Sequence, residues 1–141
     1  MRHLFIISLL ILGSACDDGQ QDLSTNLYTV QELISSQECR SNCGESSTCE
    51  GRNIELTGIL RKPTKLVPWI HLEEIFDGNQ FTVEIRLASE IDEALLLYLD
   101  TLYDKEVTVS SSLQGEDRAI NFDCLHLFFL ALSSSDQIQE K

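Results

Sequence analysis

WIHLEEIFDGNQFTVEIRL, residues 69–87, is the stretch that decides the fold of this chain. In its second half, residues 80–87, apolar and polar side chains alternate, which is the period of a β-strand with one buried face. Asp77 and Gly78 form a pair typical of tight hairpin turns, and residues 69–76 before them supply the expected partner strand. The stretch therefore predicts an antiparallel hairpin within a mainly β domain.

Further strands are predicted on both sides of this hairpin. Residues 53–61 alternate in the same way, and Gly58 inside them indicates a strand that bends, as strands do when they close a barrel. Residues 105–113 and 119–132 are also expected to be strands, separated by a polar turn over residues 114–118. These segments bring the predicted number of strands to five.

Two helices are predicted as well. Thr29 and Glu32 form a capping-box pattern, which predicts a short helix at the start of the domain. Residues 90–103 carry one apolar stripe at helical spacing, with Ser89 as the expected N-cap. This second helix lies between the third and fourth strands.

The order of these elements resembles the OB-fold, a small five-stranded Greek-key barrel. The runs TVQELI (29–34) and GRNIELTGIL (51–60) are similar to the opening of OB-like domains in bacterial envelope proteins. The resemblance covers residues 28–132 and implies a barrel with a helix between strands three and four and a short N-terminal helix. It also implies that a ligand binds across strands two and three and against the loop between strands one and two.

Four residues in those places are candidate ligand-binding residues. If Ile70 points inward, alternation places Trp69 and His71 on the outer side of the second strand, with Arg86 on the same side of the third. Lys62 belongs to the basic cluster of the first loop, which consists of Arg61, Lys62 and Lys65. Such a set suits a small polar ligand or a side chain of a partner protein. The alternative is a solvated sheet face without a ligand.

The N-terminus has the three parts of a secretory signal: a short basic lead, the nine-residue apolar core 4–12, and small residues before Cys16. Nine residues are too few for a membrane-spanning helix, which needs about 20. The junction resembles the signals of bacterial lipoproteins, in which the cysteine is acylated and becomes the first mature residue, although Gly13 stands where leucine is usual. Cleavage by ordinary signal peptidase, giving a soluble secreted protein, is the alternative.

The chain then divides into four predicted parts. Residues 1–15 are the signal peptide, and residues 16–27 are the lipidated cysteine with a flexible tether. Residues 28–132 form the barrel domain, and residues 133–141 are expected to be a disordered tail. This organisation predicts a protein of the bacterial cell envelope that is lipid-anchored to a membrane and periplasmic or surface-exposed.

Cysteine parity agrees with an anchor. Of the five cysteines, Cys16 would carry the lipid, and Cys39, Cys43, Cys49 and Cys124 remain for two disulfides. Three pairings are open. Cys124 has no local partner, so we expect it to join the loop of the other three, two of which close that loop on itself. A zinc site of four thiolates is the alternative, although the spacings depart from paired C-x2-C knuckles.

The composition argues against nucleic acid as a partner. The 141 residues include 10 basic and 23 acidic side chains, a net charge of −13. Nucleic-acid binding needs lysine and arginine to displace counterions from phosphates. We therefore expect the partners to be the membrane, through the anchor, and an envelope protein or a small polar ligand.

Catalysis is not expected, and neither is a metal or another cofactor. His71 with Glu73 or Glu84 would be a proton-transfer pair, but no activated nucleophile accompanies it. His126 stands in an apolar run and is expected to be a hydrogen-bonded barrel histidine. The sequence predicts a binding or interaction module; the alternatives are a structural spacer of the envelope and a small hydrolase that uses His71.

Overall fold

The computed structural model describes residues 26–120 and 122–141. The expectations for the signal peptide, for the acylated Cys16 and for most of the tether lie outside those residues. Among the residues that the structure does describe, none of the helices has the length and apolar character needed to cross a bilayer.

The protein is mainly β. Its elements are β1 (Asn26–Thr29), α1 (Val30–Ser35), β2 (Asn53–Arg61), β3 (His71–Phe76), β4 (Asn79–Leu87), α2 (Glu93–Leu102), β5 (Glu106–Ile120), β6 (Asp123–Leu132), a 3-10 turn (Ser135–Gln137) and β7 (Ile138–Glu140). Within the described residues seven strands form one sheet in the order β1-β2-β3-β4-β6-β5-β7, and β2 also pairs with β5. Five strands, β2, β3, β4, β6 and β5, therefore close into a ring, which we call the barrel.

Strand directions define the two ends of the barrel. The pairs β1–β2 and β4–β6 are parallel, and the other pairs are antiparallel. As a result β1, β2, β4 and β6 begin at one end, where β3 and β5 finish. The helix α2 connects the finish of β4 to the start of β5 at the opposite end.

Alternate side chains of the barrel strands form the core. Leu56, Leu72, Val83 and Leu130 are each at most 1% exposed. Leucines of α2 and apolar residues of α1 complete the core, and the buried members from the helices are Val30, Leu33, Leu95, Leu99 and Leu102. Burial of this kind is the main favourable contribution to folding.

Gly58 is required because α1 approaches the barrel closely. A Cβ at this position would lie 2.9 Å from Cγ2 of Val30 and 3.2 Å from the carbonyl oxygen of Glu73. The predicted strand over residues 53–61 is confirmed with the same bounds, and the predicted capping box of Thr29 and Glu32 is present at the start of α1.

The distal halves of β5 and β6 leave the barrel. Strand β5 pairs with β2 only as far as Ser112, and β6 pairs with β4 only from Phe129 onward. Residues 115–120 and 123–128 pair with each other alone, and we call this two-stranded segment the ribbon. The polar turn predicted over residues 114–118 is wrong, because these residues continue β5 and the chain turns near Phe122 instead.

Three further boundaries differ from the sequence predictions. Helix α2 starts at Glu93 because the carboxylate of Asp92, not Ser89, caps it by accepting from the amide of Ala94 at 3.0 Å. Residues 26 and 27, predicted as tether, belong to β1. Residues 133–141, predicted as a disordered tail, include β7, which pairs with β5 and buries Ile138 completely.

Candidate functional site

Two disulfides fix the loop that precedes β2. Cys39 bonds to Cys49 within the loop, and Cys43 bonds to Cys124 on β6. Cys124 joins the loop as expected, and of the three pairings that the sequence left open the structure has this one in place of a four-thiolate zinc site. The second disulfide joins the loop to the ribbon.

A second connection between the loop and the ribbon lies beside this disulfide. It consists of His126, Asp117 and Glu50, and we call it the histidine clasp. The Nδ1 of His126 lies 2.8 Å from Oδ1 of Asp117, and its Nε2 lies 2.8 Å from Oε1 of Glu50. Asp117 also accepts from the amide of Gly44 at 2.7 Å, and Glu50 accepts from the amide of Ser47 at 2.6 Å. His126 is thus hydrogen-bonded at both ring nitrogens and holds the ribbon against the loop.

The charges of the clasp support each other. Burial lowers the pKa of His126, but hydrogen bonds and charges of Asp117 and Glu50 outweigh it, so the net shift is upward. The hydrogen bonds from His126 and from the Gly44 amide lower the pKa of Asp117. Gly115 leaves room for this arrangement, because a Cβ there would collide with Nε2 of His126 and lie 2.8 Å from Cδ of Glu50.

An alternating cluster of two arginines and two glutamates lies on the outer side of β4 and β5. The Nε of Arg86 is 2.9 Å from Oε1 of Glu84, and its guanidinium also makes two hydrogen bonds to Glu116 across β6. Arg118 bonds to the same two carboxylates, at 3.1 Å to Glu84. We call these four residues the Arg–Glu cluster.

Aromatic rings flank the Arg–Glu cluster on two sides. The guanidinium carbon of Arg86 lies 3.6 Å from the ring centroid of Phe129, and that of Arg118 lies 5.2 Å from the ring of Trp69. Hydrogen bonds from Arg86 and then Arg118 lower the pKa of Glu116 to about 2. Glu116 is therefore ionised at neutral pH, and both arginines of the cluster are already occupied by carboxylates.

A cleft of about 230 Å³ opens where β6 separates from β4. Its walls come from α1, the disulfide loop, the segment before β3 and both separated strands, and its lining residues are Ile34, Cys39, Arg40, Ser41, Trp69, Thr82, Val83, Glu84, His126, Leu127 and Phe128. We call it the Trp69 cleft. Its volume is below the roughly 300 to 1,000 Å³ of sites for drug-sized ligands, so it suits a single ring or side chain.

Two of the four sequence-predicted site residues meet at this place. Trp69 lines the cleft, and Arg86 lies in the Arg–Glu cluster, which shares Glu84 with the cleft wall. Lys62 lies elsewhere, 3.7 Å from the carboxylate of Asp100 and 4.7 Å from the ring centroid of Tyr103.

His71, a candidate ligand-binding residue on the outer side of the second predicted strand, is buried. His71 is 2% exposed, and its Nδ1 lies 3.0 Å from the carbonyl oxygen of Trp69. Its neighbours in register are Arg61 on β2 and Glu84 on β4, and such long side chains can cover an outward-pointing ring. Alternation of the strand residues predicts which face of the sheet His71 lies on, but it does not predict whether neighbouring side chains bury it.

The basic cluster predicted for the first loop is largely paired with acids. Arg61 bonds to Asp104 at 2.7 Å and to Glu73 at 3.0 Å from its Nε, and these carboxylates raise its pKa, Asp104 foremost. Lys62 has the contact with Asp100 described above.

Sequence reasoning missed Arg118 and Glu116 because it assigned them to a turn. Their spacing of two residues, repeated by Glu84 and Arg86 on β4, places both pairs on one side of paired strands. That shared spacing is the signal that would have found the cluster.

Searches with protein-family models, with curated protein sequences and with solved structures found no match to this chain.

Proposed function

We propose that this chain is a lipid-anchored protein of the bacterial cell envelope, and that its OB-like barrel is a binding module that takes one side chain of a partner or a small ligand into the Trp69 cleft. The observation that carries the proposal is the cleft itself. It combines aromatic and aliphatic walls with a few polar groups, which is the usual composition of a binding site.

The assignment to the OB-fold draws on the connectivity of the barrel. Five strands close in the order β2-β3-β4-β6-β5, with one parallel pair, β4–β6, and a helix between β4 and β5. The OB-fold has this number of strands and a helix in this place. In OB-folds ligands lie on the face of the second and third barrel strands, here β3 and β4, and Thr82 and Glu84 of β4 line the Trp69 cleft.

The location in the envelope draws on the N-terminal sequence and on the disulfides. Residues 1–15 have the parts of a secretory signal, and Cys16 stands where lipoproteins are acylated. The two disulfides suit an oxidising compartment outside the cytoplasm. An anchor of two or more acyl chains gives stable attachment without a membrane-spanning helix.

The lining of the cleft favours an amphipathic occupant. Ile34, Trp69 and Phe128 offer apolar surface, while Arg40 and Glu84 contribute polar groups. Glu84 is already bonded to Arg86 and Arg118, so its carboxylate is not a free charge for an occupant. We therefore expect a neutral aromatic or aliphatic group with a polar end, such as a tyrosine side chain of an envelope protein.

The hydrolase alternative gains no support from these contacts. Glu73 accepts from Arg61 and Gln80, and Glu84 accepts from Arg86 and Arg118. Both carboxylates that would pair with His71 are thus held by other residues.

Trp69 is the only tryptophan of the chain, so its fluorescence reports directly on the cleft. We expect N-acetyl-tyrosinamide to change its emission saturably, whereas N-acetyl-glycinamide leaves it unchanged. Thr82→Phe, which fills the cleft, should abolish the response, and Thr101→Phe on the exposed surface of α2 should preserve it. Linear, unsaturable traces with tyrosine, phenylalanine and leucine amides alike would favour the structural spacer instead.

The anchor has a separate test. Mass spectrometry of the membrane-bound protein should find acyl groups on an N-terminal Cys16, and Cys16→Ala should release the protein from the membrane fraction. A mature N-terminus without acyl groups would leave a secreted protein and remove the anchor from the proposal.

A further inference from the structure

We propose that the tip of the ribbon is a second membrane contact, which inserts Phe122 into the interface of a zwitterionic bilayer. The inference rests on the proposed lipid anchor, because that anchor would hold the domain close to a bilayer. Its starting point is the side chain of Phe122, which is 110% exposed relative to an extended reference.

Neither backbone nor packing explains a phenylalanine at this position. The φ of Phe122 is +70°, in the left-handed region that favours glycine and asparagine and disfavours bulky side chains. Its ring is fully exposed, so it adds no burial to the folded state. Ile120 and Leu125 beside it are 37% and 47% exposed, which makes the tip an apolar surface.

The molecule holds this apolar tip firmly. An isolated two-stranded hairpin is marginally stable in water, but Cys124, two residues from Phe122, is bonded to Cys43 in the loop. The His126 clasp follows two residues further along β6. A rigid mount lowers the conformational entropy lost when the tip binds a surface.

The ribbon base lies close to the strand that leads to the anchor. Ile54 of β2 pairs with Asn26 on one side and with Ser111 on the other, so two strand spacings, about 10 Å, separate β1 from β5 there. The nine residues of β5 that follow Ser111, up to Ile120, extend at most about 30 Å. Residues 16–25 span at most about 35 Å. The anchor and the tip can therefore reach one bilayer surface.

The charges near the tip select the type of lipid. The ribbon carries three acidic side chains, Glu116, Asp117 and Asp123, against the arginine Arg118, and the whole chain has a net charge of −13. Anionic headgroups would repel this surface, whereas a zwitterionic headgroup region accepts an aromatic ring at its boundary. We therefore assign the tip to phosphatidylcholine-like or phosphatidylethanolamine-like lipid.

The test places a tryptophan at the tip of the acylated protein. Phe122→Trp and the matched control Leu97→Trp, a 66% exposed site on α2 at the opposite end of the barrel, are each bound to phosphatidylcholine vesicles whose acyl chains carry bromine. Emission is compared with the wild type, whose single tryptophan is Trp69. We expect brominated lipid to remove about half of the emission added by Trp at position 122 and little of that added at position 97.

Flotation of the same vesicles distinguishes failure of the lipid anchor from failure of the membrane contact at the ribbon tip. If the acylated wild type does not float with the vesicles, the anchor fails and the membrane contact fails with it. If the protein floats but brominated lipid affects both variants equally, the anchor stands and the membrane contact alone is overturned, which leaves the apolar tip to a protein partner.

Discussion

The two halves of the β5–β6 hairpin follow different rules. In the barrel half, each strand has neighbours on both sides, and Val109 and Leu130 are fully buried. In the ribbon half, each strand has one neighbour, and Leu125 and Ile120 are exposed. Hydrophobic burial holds the first half together, whereas a disulfide and a histidine clasp hold the second. A segment built in the second way is suited to present a surface to a partner.

Removal of the Cys43–Cys124 disulfide, which holds the ribbon half, should have the largest effect on stability. The bond closes a loop with a sequence separation of 81, so Cys43→Ser with Cys124→Ser should cost about 4 kcal/mol of unfolding free energy. Urea unfolding of the oxidised proteins measures it. The pair Cys39→Ser with Cys49→Ser, with a separation of 10, loses about 2 kcal/mol less chain-entropy stabilisation. Equal losses of unfolding free energy in the two double variants would contradict the larger contribution assigned to the Cys43–Cys124 disulfide.

Replacing a close-packed glycine with alanine should have the next largest effect, and it should act on one half of the hairpin at a time. Gly58 pairs with the barrel half, and Gly115 lies in the ribbon half. Gly58→Ala forces α1 away from the barrel and should cost about 1 to 3 kcal/mol. Gly115→Ala should cost about as much, but by displacing His126 from Glu50. Thermal unfolding measures both, and the His126 ring resonances in NMR spectra should shift only in Gly115→Ala. A shift of those resonances in Gly58→Ala would contradict separate control of the two halves.

The clasp predicts a smaller, pH-dependent contribution to stability. Because the folded protein raises the pKa of His126 above its usual 6.5, the contribution is fully present below that value and is lost as pH rises through the folded-state pKa. Urea unfolding at pH 5.5 and 8.5 should therefore show lower stability at the higher pH. His126→Gln should remove most of this difference; an unchanged difference in that variant would assign it to other groups.

Phe122→Gly should have the smallest effect and the opposite sign. Glycine adopts the φ of +70° without strain, so the substitution should be neutral or stabilise the protein by up to about 1 kcal/mol. Thermal unfolding measures the change. A clear loss of stability would mean that Phe122 packs in the folded protein and is not available to a membrane.

The sequence predicts the barrel better than the ribbon for a physical reason. In β2 and β4 one face is buried, so alternation is enforced and can be recognised from the residues. The isolated position of Cys124 indicated a disulfide to the loop that holds the other three cysteines, but it did not select Cys43 among them.

The ribbon and the candidate site depend on contacts that alternation does not contain. The polar residues 114–118 form a strand here because paired charges and a disulfide stabilise it. The turn that follows has Phe122 at a position with a φ of +70°, where glycine or asparagine is usual, so the sequence does not indicate a turn there. His71 is buried although alternation places it on the outer side of its strand. Such contacts join residues that are far apart in the chain.

Amide hydrogen exchange in the Cys43→Ser, Cys124→Ser protein tests the central claim most directly, namely that the barrel sustains itself and the ribbon depends on its braces. We expect the hydrogen-bonded amides of residues 115–120 and 123–128 to lose nearly all protection. Amides of β2 and of residues 106–112 should keep the protection that corresponds to the remaining global stability. Ribbon amides that stay as protected as those of the barrel would contradict the account.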